Sequence, residues 1–297
     1  MHKAATALFA TISLAACTPS DLVPTPADTT MYSPADLNVD IAKKPLARIA
    51  YAGEAEQQIG DLRVPEGEGP HPVAMLVHGG CWNNLGSIHN MGPMADWLAE
   101  NGVASWNIDY RELQNGGGWP QTFVDWAAAL SHLKTLAPEH NLDLERITVI
   151  GHSSGTTPAV WLGMADRGDA IVAENIPEVR AAVVLDGPVS LAEMDGVDAD
   201  ICRVPVVSQL MGGAPDEVPG RYAMVEPAGN TFALEEMLVV AGSLPLDFDT
   251  PVATLREQGL KVTKINLDGK SHFNLVVPGT PDFAEIAPDL LRVSQGK

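Results

Sequence analysis

Short hydrophobic runs alternate along the chain with segments whose apolar residues recur at helical spacing. The strand-like runs are Leu46–Tyr51, Gln58–Val64, Val73–Val77, Val103–Ile108, Ile147–Ile150, Ala181–Leu185, Met237–Ala241 and Val262–Leu267. From the third run onward they alternate with helical patterns at Met91–Glu100, Phe123–Leu136, Thr156–Asp166, Pro251–Gln258 and Asp282–Leu291. This alternation predicts an α/β fold, with a mostly parallel eight-stranded sheet flanked by helices. The first two runs have no helix between them and should form an antiparallel edge.

Two regions depart from this alternation. Residues 190–234 lose the period and gather Asp, Gly, Pro and Met, which predicts a small cap between the sixth and seventh strands. Residues 17–44 are rich in Pro, Thr, Ser and Asp, which is typical of a flexible, extended tether. We therefore expect one globular domain over residues 45–297, large enough to bury a single hydrophobic core.

The first 16 residues have the features of a secretory signal peptide. A short positive start is followed by small and apolar residues, and this stretch is too short to span a bilayer. It ends in Leu14-Ala15-Ala16-Cys17, which resembles the bacterial lipobox and implies that Cys17 is the lipidated first residue of the mature chain. Thr18 replaces the aspartate that holds such proteins at the inner membrane. The resemblance therefore points to the periplasmic face of the outer membrane.

The pentapeptide Gly151-His152-Ser153-Ser154-Gly155 lies between a strand-like run and a helical segment. A serine hydroxyl becomes a useful nucleophile when a sharp strand-to-helix turn holds it exposed, near a base and near backbone N–H donors. The flanking glycines let such a turn close without Cβ clashes. Ser153 is therefore the candidate nucleophile, and we interpret His152 as structural because its side chain should point away from the serine.

The candidate base follows by elimination. Where a nucleophile sits on such a turn, its partners follow in the order Ser, then Asp or Glu, then His. His272 is the only histidine C-terminal to Ser153, and it lies in a loop just after the last predicted strand. We therefore predict that His272 is the base.

A glycine pair after the third strand supplies a candidate oxyanion site. The buried run Val73–Val77 is followed by His78-Gly79-Gly80-Cys81-Trp82. The amides of Gly79 and Gly80, together with that of Ser154, can donate to a developing oxyanion.

From about residue 58 to residue 293, the chain resembles the α/β-hydrolase superfamily. Within it, the resemblance is to the esterase and kynurenine-formamidase-like group with an HGG-x-W oxyanion loop. The matching blocks are HGGCW (78–82), NIDYRE (107–112), GGGWPQTFVDWAAAL (116–130), GHSSG (151–155), LMGGAPDEVPGRY (210–222) and GKSHFNLV (269–276). The resemblance implies a serine hydrolase with Ser153 and His272 in a triad, and with Gly79, Gly80 and Ser154 around the oxyanion.

The triad acid departs from the pattern of this group. Related enzymes tend to carry it three residues after the glycine that ends the seventh strand, but that position is Pro245 here. We predict Asp247 as the displaced acid, because Asp249 and Thr250 resemble the N-cap of the next helix. Asp249 itself and Asp186, at the end of the sixth strand, remain alternatives, and so does a triad without any acid.

Charge, cysteine content and motif content bear on the possible partners, disulfides and cofactors of the protein. The formal net charge of −20 argues against nucleic acid and against anionic lipid surfaces as partners. Cys81 and Cys202 remain once Cys17 is assigned to lipid, and whether they form a disulfide stays open. The sequence has no metal-ligand spacing and no glycine-rich nucleotide motif, so we predict no cofactor and no metal.

These residues predict a carboxylic-ester hydrolase that acts through an acyl-enzyme on a small-molecule ester, with a membrane contact only through the lipid anchor. Two alternatives remain open. The same machinery cleaves amides, formamides or peptides in other enzymes. A lipoprotein with a displaced acid could also keep the fold as a binding module without turnover.

Overall fold

A single eight-stranded sheet forms the centre of the protein in a computed structural model that describes residues 30–166, 176–267 and 270–297. Its strands are β1 (Ala47–Ala50), β2 (Ile59–Arg63), β3 (His71–Val77), β4 (Ala104–Ile108), β5 (Leu142–His152), β6 (Ala181–Leu185), β7 (Glu236–Ala241) and β8 (Lys261–Asn266). Their order in the sheet is β1-β2-β4-β3-β5-β6-β7-β8. The predicted mostly parallel sheet is confirmed, and so is its antiparallel edge, where β2 pairs antiparallel with both β1 and β4.

Helices cover both faces of the sheet. They are α1 (Pro34–Leu37), α2 (Gly92–Glu100), α3 (Gln121–His140), α4 (Thr156–Trp161), α5 (Asp198–Cys202), α6 (Val207–Met211), α7 (Pro219–Ala223), α8 (Asp249–Glu257) and α9 (Pro281–Ser294). The buried residues of α2 and α9 belong to one hydrophobic cluster, and those of α3, α4 and α8 belong to the other. In β3, Val73, Met75 and Val77 face the second cluster while Ala74 and Leu76 face the first, because side chains alternate across a strand.

The N-terminal segment is docked where a tether was expected. Residues 30–44 lie against the domain, and the side chain of Leu37 in α1 is fully buried in the cluster that contains α2. The amide of Tyr32 donates to Asn274 Oδ1 at 2.9 Å, and Asn90 Nδ2 donates to Asn38 Oδ1 at 2.8 Å. The prediction of a flexible tether that continues to residue 44 is therefore wrong for residues 30–44. A proline-rich composition did not reveal that one leucine finds a buried site.

The signal peptide, Cys17 and residues 18–29 lie outside the described residues. In the described part of the chain, no helix combines the length and the apolar content that crossing a bilayer requires.

The segment between β6 and β7 contains α5, α6 and α7 in the region predicted as a cap. A disulfide joins Cys202, the last residue of α5, to Cys81 in the loop after β3, with 5.9 Å between the Cα atoms. The pairing that the sequence left open is thus present. It ties the cap to the predicted oxyanion loop across 121 residues of chain, a separation at which a cross-link removes much conformational freedom from the unfolded state.

Candidate active site

Ser153 lies on a strained turn at the carboxyl end of β5. Its φ of 55° is in the left-handed region, which residues other than glycine rarely adopt. The turn leaves no room for side chains at its glycines, since a Cβ on Gly151 would lie 2.0 Å from the carbonyl oxygen of Gly155. A Cβ on Gly155 would likewise lie 2.2 Å from the carbonyl oxygen of Val77. The two glycines of the pentapeptide therefore permit the close contacts that lift Ser153 out of the sheet.

The register of the sheet places Asp186 beside this turn. β5 and β6 pair in parallel with His152 opposite Leu185, so the next residues, Ser153 and Asp186, leave the sheet side by side. Asp186 also has a left-handed φ, of 46°, and Gly187 after it packs so tightly that a Cβ would lie 1.9 Å from the carbonyl oxygen of Ser153. Asp186 and Ser153 are therefore neighbours at the carboxyl edge of the sheet, where ligands bind in folds of this kind.

Asp186 is the carboxylate that contacts His272. Nδ1 of His272 donates to Oδ2 of Asp186 at 2.7 Å, which fixes the tautomer and leaves Nε2 for exchange with a serine. The segment after β7 also binds Asp186: the amides of Gly242 and Ser243 donate to its carboxylate at 2.9 and 3.0 Å. Burial raises the pKa of Asp186, but the hydrogen bond and charge of His272 and these amides outweigh burial. The pKa of Asp186 therefore lies below its ordinary value, and the group stays ionised.

The predicted pairing of Asp247 with His272 is wrong. Asp247 lies at the start of α8, where its carboxylate accepts from the amides of Asp249 and Thr250 at 2.8 and 3.2 Å and from the Thr250 hydroxyl at 2.6 Å. These hydrogen bonds hold the pKa of Asp247 below its ordinary value and occupy the carboxylate in capping. Asp249, the second alternative, is exposed and pairs with Lys264 at 2.6 Å. Asp247 thus has the capping role that the sequence suggested for Asp249.

His152 contacts the candidate base, although the sequence suggested no more than a structural role. Its ring lies 4.4 Å from the ring of His272, centroid to centroid, and its Nε2 donates to the carbonyl oxygen of His272 at 2.9 Å. Burial, and then the positive charge that His272 can carry, lower the pKa of His152 to about 3. His152 therefore stays neutral over the working pH range and holds the backbone of His272 in place.

The loop after β3 lies directly against Ser153. A Cβ on Gly79 would be 2.6 Å from Cβ of Ser153, and Gly80 has a φ of 116° that suits glycine. Nδ1 of His78 donates to the carbonyl oxygen of Gly79 at 2.7 Å. Because the peptide is planar and trans, this contact directs the N–H of Gly80 to the side opposite His78. The backbone amide of Trp82 donates to the Ser154 hydroxyl at 3.4 Å, which joins this loop to the serine turn.

A buried charge cluster that the sequence did not predict supports the loop. Nε2 of His78 lies 3.1 Å from Oδ1 of Asp109, so both ring nitrogens face acceptors, an arrangement that favours the protonated ring. Burial lowers the pKa of His78, but its hydrogen bond to Asp109 and the nearby acids outweigh burial and leave the pKa raised. Tyr110 stacks on His78 at 4.7 Å between centroids and donates from its hydroxyl to the His78 carbonyl at 3.0 Å. The motif NIDYRE contained Asp109 and Tyr110, but nothing in its pattern assigned them to the loop.

Glu112 is the third acid of this cluster, and its side chain is buried with Oε1 unpaired among the described residues. Burial raises the pKa of Glu112 to about 7, opposed by the charge of His78 and reinforced by that of Asp109. The carboxyl is therefore largely protonated below neutral pH and becomes a buried, incompletely solvated carboxylate above it.

We predict that Glu112→Gln stabilises the protein at alkaline pH. The folded-state pKa of Glu112 is raised above the unfolded value, so its favourable contribution is complete at acidic pH and is lost as the pH rises through about 7. Relative to the wild type, the free energy of unfolding of Glu112→Gln should be unchanged near pH 4.5 and higher at pH 8.5 by about 2 kcal/mol. Urea denaturation at the two pH values measures this difference. The exposed Glu145 provides the control Glu145→Gln, and an equal shift in both variants would contradict the assignment.

The candidate groups line one cavity of about 410 Å³. Ser153, His272, Gly79 and Gly80 all contribute to its wall, together with the disulfide. Leu85, Leu244 and Phe273 add apolar surface, and Pro34 of the docked N-terminal segment completes the rim. In residues 30–166, 176–267 and 270–297, no group of three or more His, Cys, Asp and Glu side chains is arranged to hold a metal ion. The arrangement offers an alcohol, an imidazole oriented by a carboxylate, and a glycine loop around one cavity.

Solved structures of esterases are similar to this protein. Phosphonate-inhibited esterase B from Lactobacillus rhamnosis superposes with a TM-score of 0.70 at 18% identity, covering 86% of this chain and 88% of that chain. A truncated carbohydrate esterase from gut microbiota has a TM-score of 0.66 at 20% identity, covering 87% and 98%. A thermophilic esterase from Thermogutta terrifontis has a TM-score of 0.63 at 18% identity, covering 82% and 93%. These likenesses confirm the α/β-hydrolase fold.

Sequence comparison gives two further results. No curated protein matches the chain. The model of the BD-FAE family matches residues 61–233, which are more than half of the 297 residues. The chain therefore belongs to the BD-FAE family.

Proposed function

We propose that the protein is a carboxylic-ester hydrolase that works through an acyl-enzyme on Ser153. The observation that carries the proposal is the 2.7 Å contact from His272 Nδ1 to Asp186, in a cavity whose wall also contains Ser153 and the glycines of the loop after β3. This combination matches the requirements for activating a serine and stabilising the oxyanion that forms when it attacks a carbonyl.

In the first half-reaction, Oγ of Ser153 attacks the ester carbonyl while Nε2 of His272 takes its proton. The carbonyl π electrons move onto oxygen, and the amides of Gly79, Gly80 and Ser154 stabilise the resulting negative charge. Asp186 stabilises the imidazolium without itself taking the proton. When the tetrahedral intermediate collapses, the C–O bond to the alcohol breaks, and His272 returns the proton to the departing alcohol.

In the second half-reaction, water replaces the alcohol. His272 takes a proton from water as the water oxygen attacks the acyl carbonyl, and the bond to Ser153 Oγ then breaks. The proton returns to Ser153, and the carboxylic acid leaves. The same groups serve both half-reactions, with His272 acting first as base and then as acid in each.

The relatives support an ester as substrate. All three similar structures are described as esterases, and one of them carries a phosphonate inhibitor based on tributyrin. Amide and formamide cleavage would use the same residues, so the test must offer both substrate classes.

A fluorophosphonate probe and a paired substrate panel test the proposal. We expect the probe to label the wild type and not Ser153→Ala, since its phosphorus captures an activated serine oxygen. Ser131→Ala, which removes a hydroxyl from α3, is the matched control and should label normally. Short p-nitrophenyl esters should turn over faster than N-formyl aromatic amines and aminoacyl amides. Turnover of amides alone would reject the ester assignment, and failure of the wild type to label would favour a binding module.

We also propose that Cys17 carries lipid and holds the protein at the periplasmic face of the outer membrane. This proposal rests on the Leu14-Ala15-Ala16-Cys17 sequence alone. Replacing Cys17 by serine should move the protein from the membrane to the soluble fraction, and an unchanged distribution would rule out the anchor.

A further inference from the structure

Arg203 is the only charged side chain, other than the candidate histidines, in the described wall of the active-site cavity. It follows Cys202, so the disulfide to Cys81 brings it beside the oxyanion loop. With consecutive Cα atoms 3.8 Å apart, the Cα of Arg203 lies within about 10 Å of the Cα of Cys81. Arg203 and Ser153 line the same cavity, so a guanidinium on the long arginine side chain is placed to contact a ligand bound there.

The backbone of Arg203 is held in an unusual conformation. Its φ is 70°, at the left-handed position that ends α5, where glycine or asparagine is the usual residue. The next turn is held by Asp198, whose buried carboxylate accepts from the amides of Val206 and Val207 at 2.6 and 2.7 Å. The disulfide on one side and these hydrogen bonds on the other direct an exposed arginine to the rim of the cavity.

Arg203 forms no ion pair and no hydrogen bond with the described residues. Asp198, the buried acid of α5, already accepts hydrogen bonds from two backbone amides. The protein as a whole carries a net charge of −20, which repels anionic ligands. The unpaired guanidinium is a local exception to this negative charge, because it can bind a carboxylate through two parallel N–H donors.

We propose that Arg203 binds the carboxylate of ester substrates that carry an acid group several bonds away from the scissile carbonyl. Leu85, Leu244 and Phe273 would contact the intervening apolar chain, and the guanidinium would hold its end. The carboxylate can belong to the acyl part or to the alcohol part of the ester. This inference rests on the proposed ester hydrolysis at Ser153 and names its substrate class.

Matched ester pairs test the inference. On the acyl side, monomethyl adipate carries the carboxylate and dimethyl adipate is its neutral counterpart. On the alcohol side, 4-butyryloxybenzoate is compared with its methyl ester. The kcat/KM of each ester is measured for the wild type, Arg203→Ala, Arg203→Lys and Arg203→Glu. The control is Arg180→Ala, which removes one positive charge just before the amino end of β6, the opposite edge of the sheet.

We expect Arg203→Ala to lower kcat/KM for a carboxylate ester by about tenfold, mainly through KM, and to leave the neutral esters within about twofold. Arg203→Lys should retain part of the preference, Arg203→Glu should lose more than Arg203→Ala, and Arg180→Ala should behave as the wild type. The pair that responds identifies the acyl or the alcohol side. A ratio of carboxylate to neutral ester that is the same in the wild type and Arg203→Ala would overturn the inference.

A binding measurement separates this inference from the proposed function. In Ser153→Ala, ligand-observed NMR titration should show tighter binding of monomethyl adipate than of dimethyl adipate, and the additional Arg203→Ala substitution should remove the difference. If the wild type hydrolyses no ester but this difference is present, the ester hydrolysis fails and the anion site stands. If esters are hydrolysed and the difference is absent, the anion site alone is wrong.

Discussion

Asp186→Asn is expected to lower kcat on a short ester by about 10³- to 10⁴-fold, with the fold intact. An asparagine amide cannot stabilise the imidazolium that forms when His272 takes the serine proton. Its NH₂ group can also face Nδ1 and favour the tautomer in which Nε2 carries the proton, so that Nε2 can no longer accept one. Because Asp186 is buried and accepts from the amides of Gly242 and Ser243, circular dichroism and thermal unfolding must accompany the kinetic measurement.

Asp247→Asn is the matched control for this prediction. Asp247 is exposed and caps α8, so its replacement should change kcat by no more than about twofold. The two variants alter the same chemical group at positions 61 residues apart in one chain. A large kcat loss in Asp247→Asn, combined with near-normal turnover in Asp186→Asn, would restore the assignment made from the sequence and reject the one drawn from the structure.

Gly79→Ala is expected to lower kcat by about 10²- to 10³-fold. The added Cβ would lie 2.6 Å from Cβ of Ser153 and 2.8 Å from the carbonyl oxygen of His152, closer than a Cβ atom approaches any non-bonded atom. Either the nucleophile or the oxyanion loop must move, and both positions matter for the geometry of attack. Labelling of Ser153 by the fluorophosphonate should slow by a similar factor, since it depends on the same oxyanion donors.

Gly53→Ala is the control for this clash. A Cβ on Gly53 would meet no atom within 4 Å, so the same chemical change should leave kcat and labelling unchanged. Normal turnover by Gly79→Ala would mean that the loop after β3 lies farther from Ser153 than the structure places it, and would remove Gly79 from the proposed mechanism.

Sequence periodicity predicted all eight strands, with ends that differ by a few residues. The largest difference is β5, which was expected over Ile147–Ile150 and spans Leu142–His152. Its first residues continue the pairing with β3 beyond an irregularity between Pro72 and Val73, where the register shifts. Polar residues in that stretch hid the extension. The backbone of these first residues pairs with β3, and the composition of a segment does not show which strand it will pair with.

The docked N-terminal segment also differs from what its composition predicts. Its composition is typical of an extended tether, yet Leu37 is buried and Asn38 binds Asn90. A few specific contacts with a surface formed by distant residues outweighed the average character of the segment. Pro34 then becomes part of the cavity wall, which no property of residues 17–44 could have indicated.

The sequence by itself determined the α/β architecture, the turn that carries Ser153, the glycine loop and the single histidine that could follow them, because each is encoded by local spacing and by order along the chain. Only the tertiary structure decided that Asp186 contacts His272, that Cys81 bonds to Cys202 and that Arg203 reaches the cavity rim. These contacts join residues that parallel pairing and cap packing bring together. An isolated carboxylate, thiol or guanidinium has no local pattern that identifies its partner, so its role depends on which groups the fold places within a few ångströms.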